Sequence, residues 1–290
     1  MLRNRVAIIT GASRGIGETL ATALAGQGCN LVLASKTGRD GSNAGKKLVG
    51  NVFDLSDQLT QRNHQIQAVP YQVDVREKDQ LQGLVDHTMD QFGRIDIVIN
   101  NAGAMWWKPV EETPVERFDL MHDVNVRASY ALSQLCIPHM KNNGYGHILF
   151  HSPPFTGDEI NQALQSKRWL LNRAAYLSSK WGMSIVSAGL SRELAGTGVA
   201  CNTIWPKTMI KTQATEVNQL GDARLWRKPD IMSDLVLGVL QQDPVTFTGH
   251  SLVDEEYLRE YGGITDFSQY QCVPGHEPPP ISDIIEVSEV

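Results

Sequence analysis

The sequence has few cysteines and no pattern of residues that would bind a metal ion. Cys29, Cys136, Cys201 and Cys272 are widely separated and form no C-x-x-C pair, which argues against a zinc site or a disulfide framework. The eight histidines include no H-E-x-x-H motif and no close pair at the spacing of metal ligands. We therefore expect reduced thiols, as in a cytoplasmic protein, and no bound metal.

The chain also lacks an excess of positive charge and a long apolar run. Its 26 basic and 32 acidic side chains give a net charge of −6, which argues against a nucleic-acid-binding surface or a polybasic membrane anchor. The first apolar run, at 6–9, is too short for a signal-peptide core or a membrane span. We expect a cytoplasmic protein that binds no nucleic acid and has no membrane span.

Short apolar runs alternate with longer segments of helical periodicity. This alternation is typical of a parallel sheet covered by helices, and several runs are apolar throughout, as strands buried on both faces should be. We predict an α/β fold: a single doubly wound, Rossmann-type domain whose seven-stranded, mainly parallel sheet has helices on both faces. The predicted strands are 5–10, 30–35, 67–73, 95–100, 146–151, 198–204 and 249–253.

Three segments interrupt this alternation, and a tail follows it. Residues 37–64 are predicted to form a long polar connection. Within a dinucleotide-binding and catalytic domain at 1–265, residues 153–172 and 206–229 are candidate lids. Residues 266–290 are predicted to be a C-terminal extension rich in proline, either docked on the domain or partly disordered.

A glycine-rich turn follows the first predicted strand. Glycines let the backbone turn sharply, and a pyrophosphate can then approach the N-terminus of the next helix, whose free N–H groups favour anions. The spacing G-x-x-x-G-x-G differs from the commoner G-x-G-x-x-G, so a plain strand-to-helix turn is the alternative. The flanking strand and helix favour nucleotide binding. The expected contacts are Gly11, Ser13, Arg14, Gly15, Ile16 and Gly17.

The end of the second predicted strand has a cation where an acid would recognise an adenosine ribose. A carboxylate there would hydrogen-bond the ribose and repel a 2′-phosphate. The sequence instead has Ser35 and Lys36, and Arg14 lies in the glycine turn. These two cations predict NADP(H) rather than NAD(H), and the alternative is that both are solvated surface charges.

Tyr176 and Lys180 are spaced to lie one turn apart on the same face of a helix. A free tyrosine has a pKa of about 10, which makes it a poor proton donor or acceptor at neutral pH. A nearby cation stabilises the phenolate and would lower that pKa towards the range of an acid–base catalyst. An ordinary exposed pair is the alternative for this motif taken alone.

In this order and spacing, the motifs resemble those of the short-chain dehydrogenase/reductase family over residues 4–255. Short segments such as 34–37, 152–154 and 205–208 resemble its hydroxysteroid dehydrogenase-like branch more closely. The sterol-carrier domain that follows in some members has no counterpart in these 290 residues. Further matching positions are Asp74 and Val75 after the third strand, Asn101, Ala102 and Gly103 after the fourth, Asn125 in the fourth helix, and Pro206 after the sixth strand.

The resemblance implies hydride transfer between a nicotinamide and an alcohol or carbonyl carbon. Tyr176 would exchange a proton with the substrate oxygen, and Asn125 would hold a water of the proton relay. Lys180 would hold the ribose hydroxyls and lower the pKa of the tyrosine. The resemblance also implies a homodimer or homotetramer formed through helices near 113–141 and 173–196.

The serine of the family's active site is altered in this sequence. Ser152 matches the first serine of the family's pair, but Pro153 occupies the second, and proline cannot donate a hydrogen bond. Ser152 is kept as a catalytic candidate. If it points away, Tyr176 alone or His151 would stabilise the substrate oxygen, although His151 also fits a buried structural histidine.

The segment after Pro206 departs from the family as well. Lys207 replaces the expected glycine, and the usual threonine comes one residue late, at Thr212. Thr208 and Thr212 are therefore both candidates for cofactor contact.

Apolar residues near these motifs predict a small lipophilic alcohol, aldehyde or ketone as the substrate. Packing in the core or at a subunit interface is the alternative for the same residues. Two other functions stay open: a non-catalytic NADP(H)-binding sensor or scaffold, which Pro153 favours, and reduction of an activated double bond. The apolar residues are Trp106, Trp107, Phe155, Ile160, Leu164, Trp169 and Leu170.

Overall fold

Seven parallel strands form the central sheet in the computed structural model, which describes residues 2–40, 48–63, 65–166 and 169–283. A separate two-stranded sheet follows the sixth strand. The strands are β1 Val6–Thr10, β2 Asn30–Ser35, β3 Ala68–Gln72, β4 Ile97–Asn100, β5 Gly146–His151, β6 Val199–Trp205, β7 Met209–Ile210, β8 Trp226–Arg227 and β9 Ser251–Val253; β7 and β8 form the small sheet.

The strand order of the central sheet is β3-β2-β1-β4-β5-β6-β9, and every pair is parallel. The predicted doubly wound α/β fold and its seven strands are confirmed. The chain leaves β1 in one direction and returns beside it as β4, with Ile9 paired to Ile99. A crevice forms at the carboxyl ends of the strands where the order reverses in this way.

Helices cover both faces of the sheet and enclose two separate hydrophobic cores. The helices α1, α2, α9 and α10 pack on one face, and α3, α5 and α7 pack on the other. Among the described residues, none of the helices is long and apolar enough to cross a membrane. The helices are α1 Gly15–Gly26, α2 Val52–Arg62, α3 Lys78–Phe92, α4 Val115–Met121, α5 Ala128–Asn143, α6 Gly157–Gln165, α7 Ala174–Glu193, α8 Gln213–Val217, α9 Asp230–Val239 and α10 Asp254–Glu260; a π-helical segment, His122–Arg127, joins α4 to α5.

The connection predicted at 37–64 contains a helix, so that prediction was wrong for its second half. Asn51 caps α2 by accepting hydrogen bonds from the N–H groups of Phe53 and Asp54, at 3.0 and 2.9 Å. Leu55 and Leu59 on one face of α2 are buried in the core. The glycines before residue 51 obscured this short amphipathic period, and residues 41–47 lie outside the described residues.

The C-terminal segment packs against the small sheet. Gln271 forms an antiparallel bridge with Arg227, and Pro280 forms one with Thr208. The N–H of Lys228 donates to the carbonyl of Tyr270 at 2.7 Å. The tail is therefore docked as far as residue 283, and residues 284–290 lie outside the described residues.

Replacing the α2 cap tests this local structure. We expect Asn51→Ala to lower the free energy of unfolding by about 1 kcal/mol, because two N–H groups of the first turn lose their acceptor. Gln58→Ala, at an exposed position of the same helix, should change stability by less than about 0.5 kcal/mol. Urea denaturation measures both values. Equal effects of the two substitutions would contradict the capping role.

Candidate active site

A cleft of about 690 Å³ opens at the carboxyl ends of the central strands. Asn125, Ser152 and Thr208 are buried and do not line it. The other catalytic and cofactor-binding candidates from the sequence all do: Gly11, Ser13, Arg14, Gly15, Ile16, Gly17, Ser35, Lys36, Asp74, Val75, Asn101, Ala102, Gly103, Tyr176, Lys180, Pro206 and Thr212.

The glycine turn lies closely against the ends of β1 and β4. Gly11 has a φ of +67°, in the left-handed region that favours glycine. A Cβ on Gly17 would lie 2.3 Å from the carbonyl oxygen of Gly11 and 2.7 Å from Asn101 Nδ2. Side chains are thus excluded at the start of α1, which leaves its N-terminal N–H groups accessible to an anion.

Asn101 joins the glycine turn to β5. Its Nδ2 donates to the carbonyl oxygens of Thr10 and Gly11, at 3.0 and 3.3 Å. The opposite atom, Oδ1, lies 3.2 Å from His151 Nδ1. Because Oδ1 can only accept, Nδ1 of His151 carries the proton in this arrangement.

His151 and Lys180 are in direct contact on the floor of the cleft. Lys180 Nζ donates to the backbone carbonyl of His151 and lies 3.6 Å from Met183 Sδ. Burial lowers the pKa of Lys180 to about 7. Burial, with the nearby Lys180 charge, lowers the pKa of His151 to about 3, so the imidazole is neutral at physiological pH.

Tyr176 lies beside an aromatic ring and an arginine. Its ring meets Trp107 edge-on, with 6.0 Å between centroids, and the Arg173 guanidinium lies 4.4 Å from the Trp107 centroid. Burial raises the pKa of Tyr176 above its ordinary value, and Arg173 partly opposes this. The net lowering expected from Lys180 is not observed, because burial dominates and Arg173 is the cation that acts on the phenol.

Asn125 uses its amide to hold protein groups together. Its Nδ2 donates to the carbonyl of Ala104 at 3.0 Å and to Ser179 Oγ at 2.8 Å. Its Oδ1 accepts from the N–H of Ala104 at 2.8 Å. Asn125 thus fixes the loop after β4 against α7, and a role in a water relay stays a prediction.

Ser152 lies behind the wall of the cleft, whereas His151 lines it. Ser152 Oγ is fully buried and has no hydrogen-bond partner among the described residues. The turn after β5 is held against α7, because Ser184 Oγ donates to the carbonyl of the buried Pro153 at 2.6 Å. The structure therefore does not bring Ser152 together with Tyr176 on the cleft surface.

The two threonine candidates have different positions. Thr208 is buried beside the tail, and its Oγ1 has no partner in the described part of the chain. Thr212 lines the cleft, and its Oγ1 caps α8 by accepting from the N–H of Thr215 at 3.1 Å. Of the two threonines, Thr212 alone lines the cleft.

Two cations pair with one carboxylate in the cleft, and a third cation, Arg14, lines the same cleft. Lys36 Nζ and Arg76 Nη2 lie 2.8 and 2.6 Å from Asp74 Oδ2. These contacts, led by Arg76, hold the pKa of Asp74 well below its usual range. Arg14 Nη2 donates to Thr37 Oγ1 at 3.0 Å, and its buried Nη1 has no partner among the described residues. Sequence reasoning missed Arg76, although its place two residues after Asp74 was a usable signal.

Of the seven apolar candidates from the sequence, Trp107 lines the cleft and the other six do not. The five candidates at 153–172 do not line it, and Leu164 is 68% exposed. This segment follows the outside of α7, where Trp181 Nε1 donates to the carbonyl of Pro154 at 3.1 Å. Trp106 packs under Arg117 instead. The apolar lining comprises Met105, Trp107, Trp205, Met209, Leu220 and Ile281.

Leu220 and Ile281 were missed because nothing local in the sequence marks them as lining residues. The four cysteines are unpaired. Within the described residues, no cluster of three or more histidine, cysteine, aspartate or glutamate side chains could hold a metal ion.

Asp254 supports the segment that follows Pro206. Its Oδ1 accepts from the N–H groups of Lys207 and Glu255, at 2.9 and 2.7 Å. Its buried Oδ2 has no hydrogen-bond partner in the part of the chain that the structure describes. Burial raises the pKa of Asp254 from 3.8 to about 7.

The sequence is similar to those of known short-chain dehydrogenases and their relatives. The family model described as short chain dehydrogenase matches residues 5–221. Hydroxysteroid dehydrogenase-like protein 2 from Xenopus tropicalis is 39% identical over 269 residues, which is 92% of this chain and 60% of the relative. The human protein of that name is 37% identical over the same shares. The chain thus spans about 60% of the length of these curated relatives.

Solved structures agree with the fold. A crystal structure of a short chain dehydrogenase from Mycobacterium thermoresistibile has a TM-score of 0.85 and 35% identity, over 99% of this chain and 97% of that chain. A metagenomic short-chain oxidoreductase in complex with NADP has a TM-score of 0.68 and 24% identity, over 87% of this chain and 97% of that chain. The second similarity concerns the fold alone.

The buried carboxyl of Asp254 predicts a specific pH dependence of stability. Because its folded pKa is raised, the folded protein keeps a proton that the unfolded chain releases between about pH 4 and about pH 7. Its contribution to stability therefore falls as the pH rises through this window. As the pH rises through this window, we expect the free energy of unfolding of Asp254→Asn to increase by roughly 2–4 kcal/mol relative to that of the original protein. Urea denaturation measures this difference.

Asp266→Asn is the matched control. The N–H of Ser268 donates to this exposed carboxylate and lowers its pKa, so the group is ionised throughout the window. The stability difference for this variant should not change with pH. A flat difference for Asp254→Asn as well would contradict the buried-charge explanation.

Proposed function

We propose that this chain, which belongs to the short-chain dehydrogenase family, is an NADP(H)-dependent oxidoreductase. Its substrate would be a lipophilic alcohol or the corresponding aldehyde or ketone. The match to the family model and the similarity to hydroxysteroid dehydrogenase-like proteins confirm the resemblance seen in the sequence. One observation carries the proposal: Tyr176 and Lys180 line the same cleft as the glycine turn.

The residues of the cleft fit a dinucleotide. The turn at Gly11 and Gly17 leaves no space for a Cβ, as expected where a pyrophosphate approaches the backbone. Asn101 and Ala102 would line the nicotinamide half, and Pro206 and Thr212 would cover it from the other side. When bound, the cofactor supplies or accepts a hydride at its nicotinamide ring.

The cations at the adenosine end support NADP(H). Arg14 Nη1 is buried without a partner among the described residues, so a phosphate oxygen would satisfy it. Lys36 and Arg76 outnumber the carboxylate of Asp74 that they share. A 2′-phosphate would therefore meet net positive charge at this end of the cleft.

Tyr176 is our candidate for proton transfer at the substrate oxygen. Burial keeps its phenol protonated at neutral pH, so it can donate to a carbonyl oxygen that gains negative charge. Arg173, whose charge opposes the rise in the pKa of the phenol, would stabilise the phenolate left behind. In the reverse direction the same phenolate would accept the proton of an alcohol.

The apolar lining supports a lipophilic substrate. Trp107 packs against Tyr176, and Met209, Leu220 and Ile281 continue the wall away from the phenol. A hydrocarbon portion would bury apolar surface there. A polar substrate would leave its hydrogen-bonding groups unsatisfied against these side chains.

A second candidate function is a non-catalytic NADP(H)-binding protein. The observation that favours it is the burial of Ser152 behind the cleft wall, which leaves the substrate oxygen without this donor. The intact pair of Tyr176 and Lys180 favours the enzyme.

We also propose a homodimer or homotetramer. Tyr130 on α5 and Ile185 on α7 are 48% and 54% exposed, which is unusual for such large apolar side chains on neighbouring helices. Burial of these side chains against a second copy would remove them from water.

Removing the hydroxyl of Tyr176 tests the catalytic proposal. We expect Tyr176→Phe to lower kcat by about 10²–10⁴-fold with lipophilic aldehydes, because the proton donor is lost. Binding of NADPH, measured by fluorescence titration, should be retained. Tyr261→Phe, away from the cleft, should leave kcat unchanged. If neither the original protein nor the variant turns over any carbonyl in a broad panel, the non-catalytic function is favoured.

Replacing the adenosine-end cations tests the cofactor preference. We expect Arg14→Ala and Lys36→Ala each to lower the ratio of kcat/KM for NADPH to that for NADH by roughly tenfold, because a charge-assisted hydrogen bond to the 2′-phosphate is lost. Lys78→Ala is the control, since this exposed lysine does not line the cleft. An unchanged ratio in both variants would contradict NADP(H) preference.

A further inference from the structure

The C-terminal segment contributes a side chain to the cleft. Ile281 lines the cleft although it lies far along the chain from the other lining residues. Its N–H donates to the carbonyl of Lys207 at 2.7 Å, and its own carbonyl accepts from Arg173 Nη1 at 3.3 Å. Both backbone groups of Ile281 are therefore held by residues of the site.

Ile281 belongs to a third hydrophobic cluster, separate from the two cores of the sheet. It packs against Met209 and Trp226 of the small sheet, as do Leu220 from the segment between β7 and β8 and Trp107 from the loop after β4. Because Trp107 also meets the ring of Tyr176, the cluster begins at the reacting end of the cleft. Three distant parts of the chain thus form one apolar wall.

A buried arginine fixes the tail in this position. Arg227 is fully buried, and its Nε and Nη2 donate to Glu255 Oε1 at 2.9 and 2.7 Å. The same guanidinium donates to the carbonyl of Phe267 at 3.1 Å and to Glu277 Oε1. Phe267 and Glu277 both belong to the tail. Because an arginine buried without these partners would be costly, its ion pairs favour a single docked position of the tail.

We propose that Ile281 is a specificity-determining residue and that the docked tail sets the length of hydrocarbon the cleft accepts. This inference rests on the proposed function. A long alkyl chain held at Tyr176 would extend past Trp107 along the wall that Leu220 and Ile281 complete, whereas a short chain would need less of this wall. The tail therefore selects long or bulky lipophilic substrates over small ones.

Calorimetric titration of alcohols into the full protein saturated with NADPH tests this role, because an alcohol and the reduced cofactor cannot exchange a hydride. We expect Ile281→Ala to weaken the binding of octanol by roughly tenfold, because part of the buried hydrocarbon contact is lost. The binding of propanol and of NADPH should change by less than about twofold. In parallel, kcat/KM with NADPH should fall by the same factor for octanal and stay unchanged for propanal.

Ile264→Ala is the matched control, because it is the same truncation just before the tail, at a residue that packs on the core of the sheet. It should leave both alcohols bound as before. If Ile281→Ala does not fold, Ile281→Val, which removes one methyl group, should weaken octanol binding by about threefold.

The possible results separate this inference from the proposed function. If octanol binding alone is weakened in Ile281→Ala but no carbonyl is reduced by any form, the enzyme is refuted and the role of Ile281 stands. Unchanged octanol binding in Ile281→Ala, an equal loss in Ile264→Ala, or no binding of octanol by the original protein would each overturn the inference.

Discussion

The hydrogen bonds of Asn101 hold the two sides of the cleft in a fixed position relative to each other. Its amide reaches the carbonyl oxygens at the end of β1, and its Oδ1 faces His151 at the end of β5. Lys180 then donates to the carbonyl of His151. This series of hydrogen bonds positions the glycine turn relative to helix α7. The turn follows β1 and the helix follows β5, and these two strands lie on either side of the point where the strand order reverses. Both ends of a dinucleotide would depend on that spacing.

Burial is the dominant electrostatic influence on the site. It lowers the pKa of Lys180 and His151 and raises that of Tyr176. In each case the neutral form is favoured, because charge is poorly solvated there. The same exclusion of water strengthens any interaction with charge that develops on a substrate oxygen. Arg173, stacked on Trp107, connects this electrostatic environment with the apolar wall and with the docked tail.

The strands and most of the cleft could be predicted because their signals are local. Apolar runs mark buried strands, and the glycine turn and the pair of Tyr176 and Lys180 occur at fixed spacings. The contribution of Ile281 could not be predicted, since it depends on how the tail docks on the small sheet, through ion pairs between residues far apart in the chain. The burial of Ser152 could not be predicted for a related reason, because the turn after β5 is fixed by Ser184 on another helix. Helix α2 was missed because the glycines before its Asn51 cap obscured a short apolar period.

The most direct test of the proposed chemistry is the fate of a label. The protein would be incubated with NADPH deuterated at the transferring position of the nicotinamide C4 and with a lipophilic α,β-unsaturated aldehyde, and the products would be examined by mass spectrometry and NMR. We expect deuterium on the former carbonyl carbon of an allylic alcohol. Deuterium on the β-carbon, or no deuterium in any product across a panel of such aldehydes, would contradict carbonyl reduction at Tyr176.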